Sequence, residues 1–158
     1  DKLRELILAS RPKAPATEFL LFAAVRTEHL ANLVVPALAR GDWVVCDRFI
    51  DSTRVYQGDL AGIDLRLIAE VEARTVSVRP DLTLMLDLPA EIGRQRAIER
   101  GRANRFDEGS LADHDTIRQG FLRIARDEPG RCAVVDAARG IDGVAADIWR
   151  HVTARLSP

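Results

Sequence analysis

The stretch Asp47-Arg-Phe-Ile-Asp-Ser-Thr-Arg-Val-Tyr-Gln-Gly58 gathers side chains that could handle a phosphorylated ligand. Asp47 can hold Mg2+ through water or orient an acceptor phosphate, and the Arg48 guanidinium can fork onto phosphate oxygens. Ser52, Thr53, Tyr56 and Gln57 add hydrogen-bonding groups and one aromatic wall. A bare Asp-Arg dipeptide reads more readily as a surface ion pair. The case for a site therefore rests on the whole string.

Two further groups stand out. Phe22 and Arg26 lie four residues apart in Glu18-Phe-Leu-Leu-Phe-Ala-Ala-Val-Arg-Thr-Glu-His29. On a helix that spacing stacks them on one face. An aromatic face and a guanidinium are ordinary ways to hold a nucleobase. Taken singly, Phe22 reads as core, Arg26 as a solvated charge and His29 as structural. The other group is Arg94, Arg96, Arg100, Arg102 and Arg105, which runs from a helical stretch into the polar segment Gly101–Gly109. Phosphoryl transfer needs positive charge aimed at the migrating group. A solvated basic helix face is the competing reading.

The elements that must position these groups follow from periodicity and punctuation. Leu3, Leu6, Ile7 and Leu8 predict a short helix over Asp1–Ala9. A long helix is expected from Glu18 to about Arg40, capped by Thr17, with Pro36 as a point of bending. Gly41-Asp42 makes a turn. Trp43-Val-Val-Cys46 then reads as a strand buried on both faces, which places Asp47 and Arg48 at a strand's carboxyl end, where open α/β sheets bind ligands. Helices are expected over Ser52–Gln57, Asp64–Ser77, Pro89–Arg100, Ser110–Arg126 and Gly143–Leu156. Leu82–Leu86 and Arg131–Val135 supply two more buried strands. Strands separated by helices mean a parallel sheet with helices on both faces. Three strands are few for such a sheet, so further strands are expected to precede Asp1.

Composition excludes more than it selects. With 158 residues, 47% hydrophobic and 30% charged, the chain can bury a core and is neither disordered nor fibrous. Lys2 and Lys13 are the only lysines, so cationic chemistry here is arginine chemistry. The net charge of -1 argues against a broad nucleic-acid-binding face. Cys46 and Cys132 lie far apart in apolar runs, without zinc spacing, and read as buried strand residues in a reducing cytoplasm. No apolar run is expected to span a membrane, and no signal-peptide pattern opens the chain.

The Asp47–Gly58 string, with Gly62-Ile63-Asp64 after it, resembles the signature of the bacterial thymidylate kinases. The resemblance covers essentially the whole chain. It implies a three-layer, P-loop NTPase-like α/β kinase fold, incomplete at its N-terminus, forming a single domain over residues 1–158 with a lid at about 100–109. It also implies transfer of the γ-phosphoryl of ATP to dTMP with Mg2+, in a cytoplasmic homodimer.

In that likeness Phe22 stacks on thymine and Arg26 reaches the base edge. Arg48 holds the acceptor phosphate and Asp47 the acceptor or metal geometry. Ser52, Thr53, Tyr56 and Gln57 line the dTMP site, with Tyr56 and Gln57 on the sugar side. Arg100 and Arg105 are the lid arginines, with Arg96 a further candidate. Ala137, Ala138 and Arg139 lie beside adenine. Val55 stands where the family usually has alanine.

One departure is large. No Gly-x-x-x-x-Gly-Lys-Ser/Thr occurs among the 158 residues, nor does the family's Arg-Glu-Pro-Gly-Gly-Thr loop. The expectation is that both belong to a unit preceding Asp1 and that this chain alone is inactive. Another nucleoside-monophosphate kinase, or a nucleotide-binding module without catalysis, remain the alternatives.

Overall fold

The computed structural model describes residues 14–99 and 109–156. The expected Asp1–Ala9 helix, the segment 101–108 and Arg100, Arg102 and Arg105 lie outside them. The chain divides into two compact units, Asp1–Arg79 and Pro80–Pro158.

In the first unit, helix α1 spans Pro15–His29. It starts before the expected Glu18. Pro15 occupies the first turn and Ala14 is the cap residue, with no side-chain cap bond, so Thr17 does not cap this helix. Proline suits that position because its φ is already helical and its missing N–H would have had no partner. The helical path then widens into a π-helix over Leu30–Val34 and returns to α-helix α2 at Val35–Ala39. The irregularity falls immediately before Pro36, which has no N–H for the regular ladder.

The stretch ends where expected. Gly41 has φ +80, and the N–H groups of Gly41 and Asp42 close onto Leu38 O at 2.9 Å and Ala37 O at 3.0 Å.

Contrary to the expectation of no span-like run, Pro15–Ala39 has the length and composition of a membrane-crossing helix. Within it Phe19, Ala23, Leu30, Val34 and Ala37 are buried, while Leu20, Leu33, Val35 and Leu38 are exposed.

The expected strand at Trp43–Cys46 is not formed. These residues belong to no helix or strand, Trp43 is 60% and Val45 95% exposed, and Cys46 is exposed rather than buried. An apolar run becomes a buried strand only when a neighbour accepts its backbone hydrogen bonds. No such neighbour occurs among the described residues.

Helix α3, Ile50–Thr53, continues directly into a π-helix over Arg54–Leu60. Gly62, at φ +76, ends it by returning its N–H to Gly58 O at 2.9 Å. Helix α4 covers Leu65–Thr75, and the Asp64 carboxylate caps it by accepting from Arg66 N at 2.8 Å. The core of the unit centres on Phe19, Ile50, Val55 and Ile68, each at most 1% exposed. Burying each such side chain contributes roughly 1.5–3 kcal/mol. Val55 is therefore a core residue.

The second unit follows the expected order closely. Strand β1, Thr83–Asp87, pairs in parallel with β2, Cys132–Asp136, in the register Thr83↔Cys132 to Asp87↔Asp136. Between them run helices α5, Ala90–Glu99, and α6, Leu111–Asp127; α7, Ile141–Leu156, comes last. Both α6 and α7 pack on β2, and α6 also packs on β1. The described sheet has two strands rather than the three expected. Cys132 is buried in β2 as expected.

Helix α6 opens with a capping box in which the Asp113 N–H donates to Ser110 Oγ at 3.1 Å and Ser110 N donates to the Asp113 carboxylate at 2.9 Å. Those Ser110 donors hold the Asp113 carboxyl below its ordinary range. Farther along, Arg118 grips both oxygens of Asp87 at 2.7 and 2.9 Å. The hydrogen bonds from Arg118 depress the Asp87 carboxyl in the same way.

Two outcomes are expected. A Cβ at Gly58 would lie 2.5 Å from Leu65 Cδ2 and 3.3 Å from Ile68 Cδ1. Leu65 is partly exposed and can move, whereas Ile68 is fully buried and cannot. Gly58→Ala should cost about 1–3 kcal/mol in denaturant unfolding.

Asp87 has a folded-state pKa below its unfolded value of about 3.9. Its stabilising contribution is present above that value and is lost as pH falls through the folded pKa. Below about pH 4, the melting temperature of the wild type should fall faster than that of Asp87→Asn.

Candidate functional site

The groups singled out in the sequence fall into two clusters, one in each unit. In the first, α1 presents Phe22 and, one turn later, Arg26, both half-buried. Arg26 donates to the hydroxyl of Thr53, 27 residues away, and lies over the Phe49 ring at 5.7 Å. Burial pushes the Arg26 guanidinium below its ordinary pKa, while Glu72, Cys46 and Asp51, in that order, oppose the shift. An arginine so lowered still remains charged at neutral pH.

Arg48 is exposed and holds a positive φ of 66, the only described residue other than glycine to do so. That conformation is costly for a side chain with a Cβ, and such costs gather at functional sites. The Arg48 guanidinium covers the Tyr56 ring at 4.9 Å, and Cys46 Sγ donates to the Arg48 carbonyl at 3.3 Å. Tyr56 lies on the π-helical stretch, whose widened turn is frequent at functional sites.

Gln57 sits elsewhere than a ligand wall would require. It is 4% exposed and donates to Glu18 Oε1 at 3.0 Å. Ser52 is half-buried and Asp47 exposed. Among the described residues no three His, Cys, Asp or Glu side chains gather as a metal cage. A Mg2+ held mainly by nucleotide phosphates and water needs only one or two carboxylates, and Asp47 beside Arg48 fits that demand.

The second cluster lies at the carboxyl ends of β1 and β2. Arg96, on α5, donates to Ala137 O at 2.8 Å and Ala138 O at 3.4 Å. The Ala137 N–H donates to Asp87 O at 2.8 Å, and Ala138 N to Asp136 Oδ1 at 2.9 Å. Arg139 is engaged by Asp136 and by Asp147, which also binds Arg150. Arg96, Ala137, Ala138 and Arg139 thus come together, but both arginines already have protein partners. Arg94 is exposed on α5.

Several residues escaped the sequence reading. Phe49 and Glu18 partner Arg26 and Gln57. Asp51 and Glu72 are buried, and Arg54 donates to Glu72 Oε2 from Nε at 3.1 Å and from a terminal nitrogen at 2.8 Å. A signal for Glu72 did exist: it stands four residues after Ile68, on the apolar face of an amphipathic helix, where a carboxylate needs a partner.

A family model for thymidylate kinase matches residues 1–148. The chain is 44% identical to the thymidylate kinase of Bradyrhizobium diazoefficiens, over 99% of this chain and 71% of that protein. It is 47% identical to the thymidylate kinase of Caulobacter vibrioides, over 99% of this chain and 76% of that one. The crystal structure of thymidylate kinase from Ehrlichia chaffeensis superposes with a TM-score of 0.75 at 29% identity, covering 96% of this chain and 72% of that chain. The fold is accordingly the P-loop kinase-like α/β fold, and the chain belongs to the thymidylate kinase family, whose reaction phosphorylates dTMP.

Proposed function

We propose that the first cluster is the acceptor site of this kinase and that its residues divide the work by chemistry. Phe22 stacks on thymine, and Arg26 with Thr53 reads the base edge. Arg48 binds the acceptor phosphate, while Ser52 and Tyr56 complete the pocket, Tyr56 on the sugar side. The observation that carries this reading is the meeting of Arg26 and Thr53, 27 residues apart, one helical turn from Phe22. Gln57 acts indirectly, through Glu18.

The reaction is an in-line transfer of the γ-phosphoryl of ATP to the dTMP phosphate. Mg2+, when bound, neutralises charge on the donor phosphates, and Asp47 would hold it through water. Arg100 and Arg105 supply charge to the transition state in this proposal, as lid residues. Ala137, Ala138 and Arg139 flank the adenine of ATP, with Arg96 holding their turn in place through two carbonyls. The 158 residues contain no phosphate-binding loop motif, so this polypeptide by itself is proposed to bind nucleotide without transferring phosphate.

The rest of the proposal is a cytosolic homodimer, with residues 1–158 forming one kinase domain. The family likeness supports the dimer, and so do Leu20, Leu33 and Leu38, exposed on the Pro15–Ala39 stretch. Light scattering should return twice the chain mass.

The tests separate binding from chemistry, and turnover is read on the chain completed by a phosphate-binding-loop unit. Arg48→Ala should lower kcat by a factor on the order of 10²–10³ without loss of fold, and near-normal turnover removes Arg48 from the phosphate. Phe22→Ala should raise KM for dTMP with little change in kcat, whereas unchanged affinity refutes stacking. A screen of dTMP, dUMP, dCMP, GMP and AMP should single out dTMP. A second acceptor used equally well would favour another nucleoside-monophosphate kinase.

A further inference from the structure

A carboxylate that touches no expected ligand lies behind the acceptor cluster. The Glu72 side chain, on α4, is 2% exposed, and its Oε2 takes both hydrogen bonds from Arg54. Its Oε1 is buried without a hydrogen-bond partner among the described residues. Arg54 also lies 3.7 Å from the buried Asp51 carboxylate. Arg54 follows Thr53 directly in the chain, and Thr53 receives the Arg26 hydrogen bond. Glu72 is also the strongest of the charges that oppose the desolvation of Arg26.

With the carboxylate buried and the guanidinium only partly exposed, an ion pair of this kind is an expensive way to stabilise a fold, since apolar residues of similar volume serve as well or better. Its geometry is more informative than its energy. A two-donor grip on one carboxylate oxygen fixes Arg54 in direction, and with it the backbone that aims Thr53. The same carboxylate places negative charge near Arg26 without occupying its donors.

We propose that Glu72, acting through Arg54, is a positioning residue for acceptor-base selection: it fixes Thr53 and Arg26 in the arrangement that reads thymine. This rests on the reading of Arg26 and Thr53 as base contacts. Thymine presents a carbonyl acceptor at its edge where cytosine presents an amino donor, so a fixed guanidinium favours the former. Loss of Glu72 should blur that distinction as well as weaken binding.

Calorimetric titration of the protein with dTMP and with dCMP tests this. Loss of a well-aimed hydrogen bond from a charged group costs on the order of ten- to a hundred-fold in affinity. Glu72→Gln should weaken dTMP binding by that factor and lower the preference for dTMP over dCMP. Since Glu72→Gln also leaves Arg54 poorly paired, the double variant Arg54→Met/Glu72→Leu separates the roles. It should recover the melting temperature but not dTMP affinity or selectivity. Recovery of all three would reduce the pair to a structural element and overturn the proposal.

Should the double variant fail to fold, Arg54→Lys keeps the charge but not the grip. Wild-type affinity and selectivity in that variant would equally overturn the proposal. Arg26→Ala is measured alongside: unchanged dTMP affinity there would fault the base-contact reading itself rather than the role of Glu72.

Discussion

Arg54 and Glu72 stand 18 residues apart in the chain and meet with the Glu72 carboxylate almost excluded from water. A charge in that position must be paired, because an unpaired buried ion costs several kcal/mol. The pairing therefore constrains everything attached to it. Arg54 opens the π-helical stretch that carries Tyr56, Gln57 and Gly58, while Glu72 sits on the helix whose Leu65 and Ile68 press against Gly58. The absence of a side chain at Gly58 lets the two elements approach closely enough for the ion pair to close. Tight apolar packing and one buried ion pair thus cooperate to hold the Thr53–Tyr56 segment facing α1.

From the other side, α1 contributes alternate demands on a single helix. Phe19 and Ala23 go into the core, while Phe22 and Arg26, displaced around the same turns, remain half-buried. That displacement makes a site possible, since a base-binding residue must be held by its neighbours yet accessible to a ligand. Arg48 shows the complementary condition. It is exposed, adopts a left-handed backbone conformation and rests on the Tyr56 ring. The aromatic face and the Cys46 thiol stabilise a conformation that an unsupported arginine would rarely adopt.

The second unit solves a different positioning problem with the same residue type. Arg96 binds the carbonyls after β2, and Arg118 binds the carboxylate that ends β1. These bonds tie α5 and α6 to the carboxyl ends of the two parallel strands. Backbone carbonyls at a turn and a carboxylate at a strand end are both acceptors that need donors when partly buried. An arginine-rich chain meets that need with forked groups.

The sequence by itself determined the local elements and the family. The helices of the second unit take their limits from interactions within a few residues, such as the Ser110–Asp113 capping box, and apolar runs bounded by Gly or Pro mark where β1 and β2 can form once each finds the other. The Asp47–Gly58 string carried the family likeness because residue types and spacing are properties of the chain alone. Where two local rules compete, only the structure shows which wins: Pro15 rather than Thr17 sets the start of α1.

Tertiary structure decided the pairings at long separation. Nothing local tells Arg26 that it will meet Thr53, assigns Gln57 to Glu18 rather than to a ligand, or joins Arg118 to Asp87 across 31 residues. It also decided the state of Trp43–Cys46. Hydrophobicity allows a strand there, but only a neighbouring backbone can complete one, because strand hydrogen bonds are made between segments whereas those of a helix are made within one.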